Sequence, residues 1–307
     1  MTTTKKYPAK LLLFGEYTIV QGSRALAIPL HQYGGQWKQS PNKIADQSLQ
    51  LGLPILLSYI QSTKEKNQLQ EVDTTAFAKA LNNGDFFDSN IPQGYGLGSS
   101  GSLTAAVYDR FANAGQTENL NQLKQTLATI ESCFHGSSSG ADALVCYLNQ
   151  SVLFHSKTEL EVVGVDEKQQ EHLFLVDTGR ARQTAPLVQL FLEKCKDDIY
   201  QNRLLAELIP LVDDAIIAFL KNNPTRLFEL VHQISYFQFK YFSEMIPSTF
   251  KTIWLDCLSS DHSKLKLCGA GGGGCILGFT TNPSKTKALL KDQNLIFINE
   301  PNAPGFR

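Results

Sequence analysis

Apolar and polar positions alternate in two different textures along the chain. In the first half, short apolar runs are separated by glycine- and serine-rich breaks. LLLF (11–14), IV (19–20) and ALAIPL (25–30) read as two short strands around a turn at Gly22-Ser23, and the polar–aromatic alternation of QYGGQWKQ (32–39) predicts a third strand. Helical spacing follows at 49–62, where Pro54 marks an irregularity or a first-turn position, and at 72–82; DFFDSNI (85–91) is extended. From Gly101 or Ser102 the spacing predicts a helix with apolar residues at 103, 106, 107 and 111. NLNQLKQTLATIESCFH (119–135) predicts another, ended by GSSSG (136–140); ADALVCYLN (141–149) is apolar again and SVLFHS (151–156) is strand-like.

The second half reads as a strand and turn in HLFLVDTG (172–179), then long helical stretches at 186–198, 202–220 and 224–247. TIWLDCL (252–258) fits helix or strand. LKLCGAGGGGCILGF (265–279) is two extended pieces around a glycine run, KTKALLKDQ (285–293) a helix, and NLIFINE (294–300) a closing strand. VDEKQQEH (165–172) is the longest polar connector and places a boundary within about 160–175. There is no internal repeat, and strands and helices do not alternate regularly, so the pattern predicts an α+β fold rather than a doubly wound sheet.

A chain of 307 residues is long enough for two domains. With 28 basic and 29 acidic side chains, net charge −1, it has no global field to gather nucleic acid or anionic lipid. Its six cysteines form no CxxC pair and read as reduced thiols. The basic start MTTTKKYPAK is followed by LLLF, which Gly15 and Glu16 interrupt before it reaches the length of a signal core, and no stretch has the length of a membrane span. The expectation is a soluble cytoplasmic protein acting on a small molecule, with no nucleic-acid or membrane partner. The aromatic run from Tyr236 to Phe242 has apolar residues on more than one helical face, which fits a buried helix or a homodimer contact.

The candidate chemistry begins at IPQGYGLGSSGSL (91–103). Gly94, Gly96 and Gly98 let backbone approach a ligand closely and turn successive N–H groups toward it, and the helix that follows adds its unpaired amides and the positive end of its dipole. Ser99, Ser100 and Ser102 supply hydroxyls. A phosphate tail fits all three features; so does a tight loop with an N-cap serine. The spacing matches neither GxxxxGK[ST] nor GxGxxG followed by a ribose-binding acid. GAGGGG (269–274), between two apolar pieces, costs conformational entropy without packing return, which predicts close approach by a ligand or another element. Glu131 lies late in a helical stretch on a mixed face, Asp142 stands among the apolar residues of ADALV, and Lys10 borders an apolar strand; a buried carboxylate needs such a partner. Taken singly, Glu131 also fits a solvent-facing helix position and Asp142 an N-cap.

At these residues the sequence also carries a family resemblance. PAKLLLFGEYTIVQG (8–22), IPQGYGLGSSGSLTAA (91–106) and LKLCGAGGGGCILGF (265–279) resemble, in order, the three motifs of the GHMP kinases, and ESCFHGSSSGAD (131–142) is similar to the glutamate, histidine-glycine, serine-glycine-x-aspartate run of mevalonate kinases. The resemblance implies a two-domain GHMP kinase-like α+β fold: a ribosomal-protein-S5-like domain, 1–165, carrying the phosphate loop, and a ferredoxin-like domain with added helices, 166–307, carrying the closing glycine run. It implies ATP in the cleft between them, with Gly94, Gly96, Leu97, Gly98, Ser99, Ser100, Gly101 and Ser102 around the phosphates and Gly271 and Gly272 closing over them. Mg²⁺ would be held by Ser100 and Glu131. Asp142 would take or orient the acceptor hydroxyl, with Lys10 as its partner, and His135 would be structural. Glu16, Tyr17, Ser139, Thr184 and Ala270 are the positions expected to meet the acceptor.

The implied reaction is phosphorylation of the 5-hydroxyl of mevalonate. Three departures touch the acceptor region: GEY where mevalonate kinases commonly have GEH, a form resembling phosphomevalonate kinases; HGSSSGAD for HGNPSG-x-D; and Cys268 where threonine usually precedes GAGGGG. Tyr17 fits a hydrogen bond to the acceptor and plain packing equally well. Phosphomevalonate would need extra cations, for which Lys5, Lys6, Arg180 and Arg182 are the candidates. Another small alcohol, or a diphosphomevalonate-decarboxylase-like reaction, remains an alternative. A nucleotide binder without catalysis is disfavoured because Lys10, Glu131 and Asp142 are all present.

Overall fold

KYPAKLLLF forms one strand, β1 (Lys6–Phe14), buried along most of its length and longer than the 11–14 core of the sequence pattern. The computed structural model describes residues 5–39, 47–113, 119–298, 300 and 305–306. After β1 the chain does not make a second strand at 19–20. Thr18–Gln21 is a single 3₁₀ turn closed by Gly22 at φ +100°. The Ser23 hydroxyl donates to Thr18 Oγ1 at 2.7 Å and the Ser23 N–H to the Thr18 carbonyl at 3.1 Å, local bonds that compete with strand pairing. The next two anticipated strands are one: β2 (Ala25–Gln39) runs on through Pro29.

The chain divides into two units with interleaved boundaries. The first comprises Met1–Lys10, Pro29–Ile91 and Gly98–Gln150; the second comprises Leu11–Ile28, Pro92–Leu97 and Ser151–Arg307. In the first, α1 (Gln47–Lys64) and α2 (Thr74–Asn82) precede β3 (Asp85–Ser89). Asp73 caps α2 by accepting from the Thr75 and Ala76 amides at 3.0 and 2.9 Å. β3 pairs antiparallel with the end of β2, Gly35 opposite Ser89 and Gln39 opposite Asp85. Gly35 is required there because a Cβ would lie 2.1 Å from the Phe87 ring. α3 (Ser99–Phe111), α4 (Leu120–His135) and α5 (Ala141–Leu148) complete the unit. Its core is aromatic: Phe77 stacks on Phe111 at 4.7 Å, Trp37 meets Phe77, Phe87 and Phe111 edge-on, and the Trp37 indole N–H donates to the Ala106 carbonyl at 3.1 Å.

In the second unit β4 (Ser151–Phe154) pairs antiparallel with the start of β2, Ala25 opposite Phe154, and with β5 (Leu160–Val163). The polar stretch 165–172 is not an open connector, for it contains a short helix, α6 (Glu167–Gln170). β6 (Leu173–Asp177) follows, then α7 (Thr184–Lys194) and α8 (Asp198–Arg203). A π turn at Leu204–Leu208 leads into α9 (Ile209–Leu220). α10 (Pro224–Tyr241) stops short of the anticipated 247. The ambiguous TIWLDCL is helical, in α11 (Lys251–Ser259). Buried Lys264 holds the end of α11, donating to the Cys257 and Leu258 carbonyls at 3.1 and 2.9 Å and to that of Ser260. β7 (Ser263–Leu267), β8 (Cys275–Thr280), α12 (Pro283–Leu289) and β9 (Leu295–Phe297) finish the unit. The last is shorter than the predicted 294–300, of which Asn299 lies outside the described residues.

These strands form an antiparallel sheet in the order β7-β8-β6-β9. α10 and α11 pack on β7, whose Leu267 amide is taken by the buried Gln238 side chain of α10 at 2.8 Å. The aromatic run is buried in part: Phe237 and Phe242 are 4% and 0% exposed and meet edge-on at 5.9 Å, whereas Tyr236 is 55% exposed. No helix among the described residues is long and apolar enough to cross a membrane.

Candidate active site

The predicted site residues fall into two groups, and the glycine loop itself passes from one unit to the other between Leu97 and Gly98. In the first unit Gly98, at φ +75°, starts α3, so the amides of Ser99, Ser100 and Gly101 form its first turn. Gly101 lets α3 and α5 approach: a Cβ there would sit 2.8 Å from the Ala143 nitrogen and 2.9 Å from the Asp142 carbonyl carbon. That contact brings Asp142, in the first turn of α5, beside the start of α3.

Asp142 pairs with Lys10, Oδ1 to Nζ at 2.7 Å; the lysine side chain is 7% exposed and the carboxylate 36%. The carboxylate offsets the desolvation of the buried Lys10 side chain, while its own partial exposure retains access to solvent and ligand. Next to this pair, the Ser100 hydroxyl donates to Glu131 Oε1 at 2.9 Å and lies 3.0 Å from His135 Nε2. The Ser138 hydroxyl donates to the other Glu131 oxygen at 2.5 Å. Glu131 is 3% exposed, so the solvent-facing alternative does not hold. Burial, and then the charge of Asp142, push its carboxyl up to about 7; the two serine hydroxyls and Lys10 oppose the rise.

The other predicted positions in this unit are more ordinary. Ser102 is fully buried and donates to the Tyr7 carbonyl at 2.9 Å, fastening α3 to β1. Ser139 is exposed and accepts from the Ala141 amide at 3.3 Å. Ser138, not singled out from sequence, is the serine of the GSSSG run that reaches Glu131; nothing in a row of three serines distinguishes it before the turn is folded.

In the second unit the two glycine runs come together around Arg182. Its N–H donates to the Gly94 carbonyl at 2.9 Å, and its guanidinium donates to the Cys268 carbonyl at 2.5 Å. A Cβ on Gly96 or on Gly269 would lie 2.3 or 2.6 Å from that guanidinium, so both glycines make room for it. No ion pair holds Arg182 among the described residues. The far end of the run is also fixed by backbone: the Gly272 amide donates to the Met245 carbonyl and the Gly274 amide to the Arg180 carbonyl, each at 2.7 Å. A Cβ on Gly271 would meet the Met245 carbonyl at 2.4 Å. Close approach by another element therefore accounts for much of GAGGGG, and the Gly272 N–H is already engaged in this conformation.

Tyr17, at φ +65°, donates its hydroxyl to the Ala270 carbonyl at 2.6 Å and packs on Phe191 and Phe242 at 4.7 and 5.5 Å. The packing expected of Tyr17 is present, and its hydroxyl is engaged with the glycine run rather than left open. Burial raises its phenol pKa far above the usual range. Glu16 is buried and forms an ion pair with buried Lys266. Leu97 is fully buried; Thr184 is exposed at the first position of α7. Of the basic candidates for a second phosphate, Lys5 is paired with Asp109 at 2.8 Å and Arg180 donates to Thr249 Oγ1 at 3.1 Å.

The contact at Gly101 gives a first prediction. Gly101→Ala places a Cβ against backbone rather than a movable side chain, so α5 must shift. The expected result is a loss of about 1–3 kcal/mol in urea denaturation, with turnover falling alongside it.

The GHMP kinases N terminal domain matches residues 67–150. The chain is 27% identical to a mevalonate kinase of Schizosaccharomyces pombe over 254 residues, 71% of this chain but 60% of that protein, so it spans less than two thirds of this relative's length. It is 26% identical to a mevalonate kinase of Archaeoglobus fulgidus over 313 aligned positions, 98% of this chain and 97% of the relative. The fold is similar to the crystal structure of L. major mevalonate kinase in complex with R-mevalonate, with a TM-score of 0.65 at 18% identity, covering 95% of this chain and 91% of that one. The architecture is thus the mixed α/β, two-domain kind found in GHMP kinases. Residues 67–150 thus match a GHMP kinase domain, and mevalonate kinases are among the proteins to which the chain is similar.

Proposed function

We propose that the protein transfers the γ-phosphoryl group of ATP to the 5-hydroxyl of mevalonate, giving 5-phosphomevalonate. The observation that carries this reading is the Lys10–Asp142 pair lying beside Ser100 and Glu131 at the start of α3. An alcohol is a weak nucleophile, and most of the barrier falls by holding it in line with the γ-phosphorus and by neutralising charge on the phosphoryl oxygens. Asp142 accepts the hydroxyl proton, or orients it, as the new O–P bond forms and the bond to the leaving ADP oxygen breaks. Lys10 keeps Asp142 in place and stabilises the alkoxide as it develops. The amides at the α3 N-terminus favour the phosphate charge.

Ser100 and Glu131 fit a magnesium ion: a hydroxyl and a carboxylate, both hard oxygen donors, already touch, and Mg²⁺ commonly takes few protein ligands beside phosphates and water. When bound, Mg²⁺ supplies charge neutralisation at the transferring phosphate. A carboxylate whose burial favours its protonated form is ionised readily only with a cation close by.

Arg182 supports an acceptor with an anionic group, since its guanidinium beside the glycine run is held by the Cys268 carbonyl and by no carboxylate among the described residues, and suits a carboxylate. Phosphomevalonate is the second reading, favoured by Tyr17 but weakened by the engagement of Lys5 with Asp109. The S5-like and ferredoxin-like domain types belong to the same proposal; the antiparallel β7-β8-β6-β9 sheet supports the latter.

The test is ADP release with ATP and Mg²⁺ across mevalonate, phosphomevalonate, homoserine and galactose. Mevalonate is expected to give the highest kcat/KM. A higher value for phosphomevalonate, CO₂ release from diphosphomevalonate, or nucleotide binding without turnover on any acceptor would replace this reading.

A further inference from the structure

Cys268, which stands where a threonine usually precedes GAGGGG, faces a second cysteine just after the run. β7 and β8 pair antiparallel with Lys266 opposite Leu277 and Leu267 opposite Ile276. One step further along the same register sets Cys268 opposite Cys275. The backbone turns away only beyond them, at Gly269 and Gly274, both at φ +67°. Directly opposed residues of an antiparallel pair point to the same face, with Cα atoms about 4.5–5.5 Å apart. A disulfide asks for about 4.4–6.8 Å, so the two sulfurs can be joined without rebuilding the strands.

Both residues are thiols, and each is 1% exposed. Burial, and then the charge of Cys268, push the Cys275 thiol well above its usual range, an influence that agrees with the register in bringing the two sulfurs close. Arg182, whose guanidinium donates to the Cys268 carbonyl at 2.5 Å, opposes the rise. The other cysteines are differently placed: Cys133, Cys146 and Cys257 lie within α4, α5 and α11, and Cys195 ends α7, so no strand register pairs them.

We propose that Cys268 and Cys275 are a redox pair that hydrogen peroxide closes to a disulfide, tying the two ends of the glycine run together. One thiolate attacks a peroxide oxygen; the S–O bond forms as the O–O bond breaks, the departing oxygen takes the thiol proton to become water, and a sulfenic acid is left. The opposed thiol attacks that sulfur. The S–S bond forms, the S–O bond breaks, and the oxygen leaves with the second thiol proton as another water. Two thiols are thus oxidised and one peroxide is reduced. Burial makes the pair slow while the run is seated, and five glycines in six positions give the run the freedom to open. The disulfide confines GAGGGG within a closed loop of eight residues, 268–275, and lowers that freedom. Neither the chemistry nor its readout depends on the proposed kinase reaction.

The experiment treats the full chain, folded and at neutral pH, with hydrogen peroxide, alkylates the remaining thiols and maps tryptic peptides without reduction. No lysine or arginine lies between the two cysteines, so trypsin leaves both in one peptide. That peptide is expected to be lighter by two hydrogens and to take up no alkylating agent, and to take up two after dithiothreitol. Amide hydrogen exchange within 269–274 should slow about tenfold on oxidation and recover on reduction. Cys268→Thr and Cys275→Ser should each remove both effects. Absence of the disulfide in the unmodified protein overturns the proposal. So does its formation only in urea-unfolded chain, a different cysteine pair as the main product, or unchanged exchange in the oxidised run. The unmodified protein decides the matter alone if a variant fails to fold.

Discussion

Asp142→Asn is expected to lower kcat by roughly 100- to 10,000-fold, the usual worth of a positioned general base, while ATP affinity stays within about twofold. The reason is geometric. Asparagine keeps the shape of the side chain at the α3–α5 contact, but it neither accepts a proton at neutral pH nor balances the charge of buried Lys10. Steady-state turnover and nucleotide titration on the same preparation separate the outcomes. An equal loss in turnover and nucleotide affinity would mean that Asp142 serves phosphate binding, and a loss of less than tenfold in turnover would remove it from the chemistry.

A second large effect is expected far from that pair in sequence. Glu16 and Lys266 are both almost wholly buried, with side chains 2% and 1% exposed, and they are ion-paired. Lys266 also donates to the Leu267 carbonyl at 2.8 Å and lies 5.5 Å from the centre of the Phe14 ring. Glu16→Leu leaves an uncompensated buried ammonium and should cost about 3–5 kcal/mol of stability. The double variant Glu16→Leu with Lys266→Met removes both charges and should recover most of that loss. Urea denaturation of the two single variants and the double one completes the cycle. If Glu16→Leu instead leaves stability unchanged and raises only the KM for the acceptor, Glu16 belongs to acceptor binding, as its place in the GEY motif implied.

Much of the site was legible because glycine, serine and acidic residues in that order have few structural uses. The helix after Gly98 and the Lys10–Asp142 pairing were anticipated from residue type and position, while the association of Ser100 with Glu131 and the residue roles came by family resemblance. Three things were not legible. Local hydroxyl bonding at Thr18 and Ser23 turned an apparent strand into a 3₁₀ turn, and a propensity count does not register it. Arg182 stood as one of four candidate cations for a second phosphate, but its seat between the glycine runs was not legible, because the space that receives its guanidinium is made by Gly96 and Gly269, distant in sequence. The GAGGGG run left a ligand and another element both open, and nothing in the sequence pointed to the Met245 and Arg180 carbonyls that take two of its amides. Periodicity reports which face is buried, not which distant backbone atom will meet it.

The interleaving of the two units has a consequence for how the protein is made. The chain changes unit after Lys10, Ile28, Ile91, Leu97 and Gln150, so neither unit is a continuous piece that a ribosome could finish and release for folding. Glu16 leaves the ribosome exit tunnel about 250 residues before Lys266, roughly ten to fifty seconds at ordinary synthesis rates. Throughout that wait a carboxylate destined for a dry interior must stay hydrated, and Leu11–Phe14 must do without the β8 residue Phe279 that meets Phe14 at 5.8 Å. Completion of the second unit is therefore an event that follows translation, and a nascent chain stalled before residue 263 should expose its first apolar strand to chaperones and proteases.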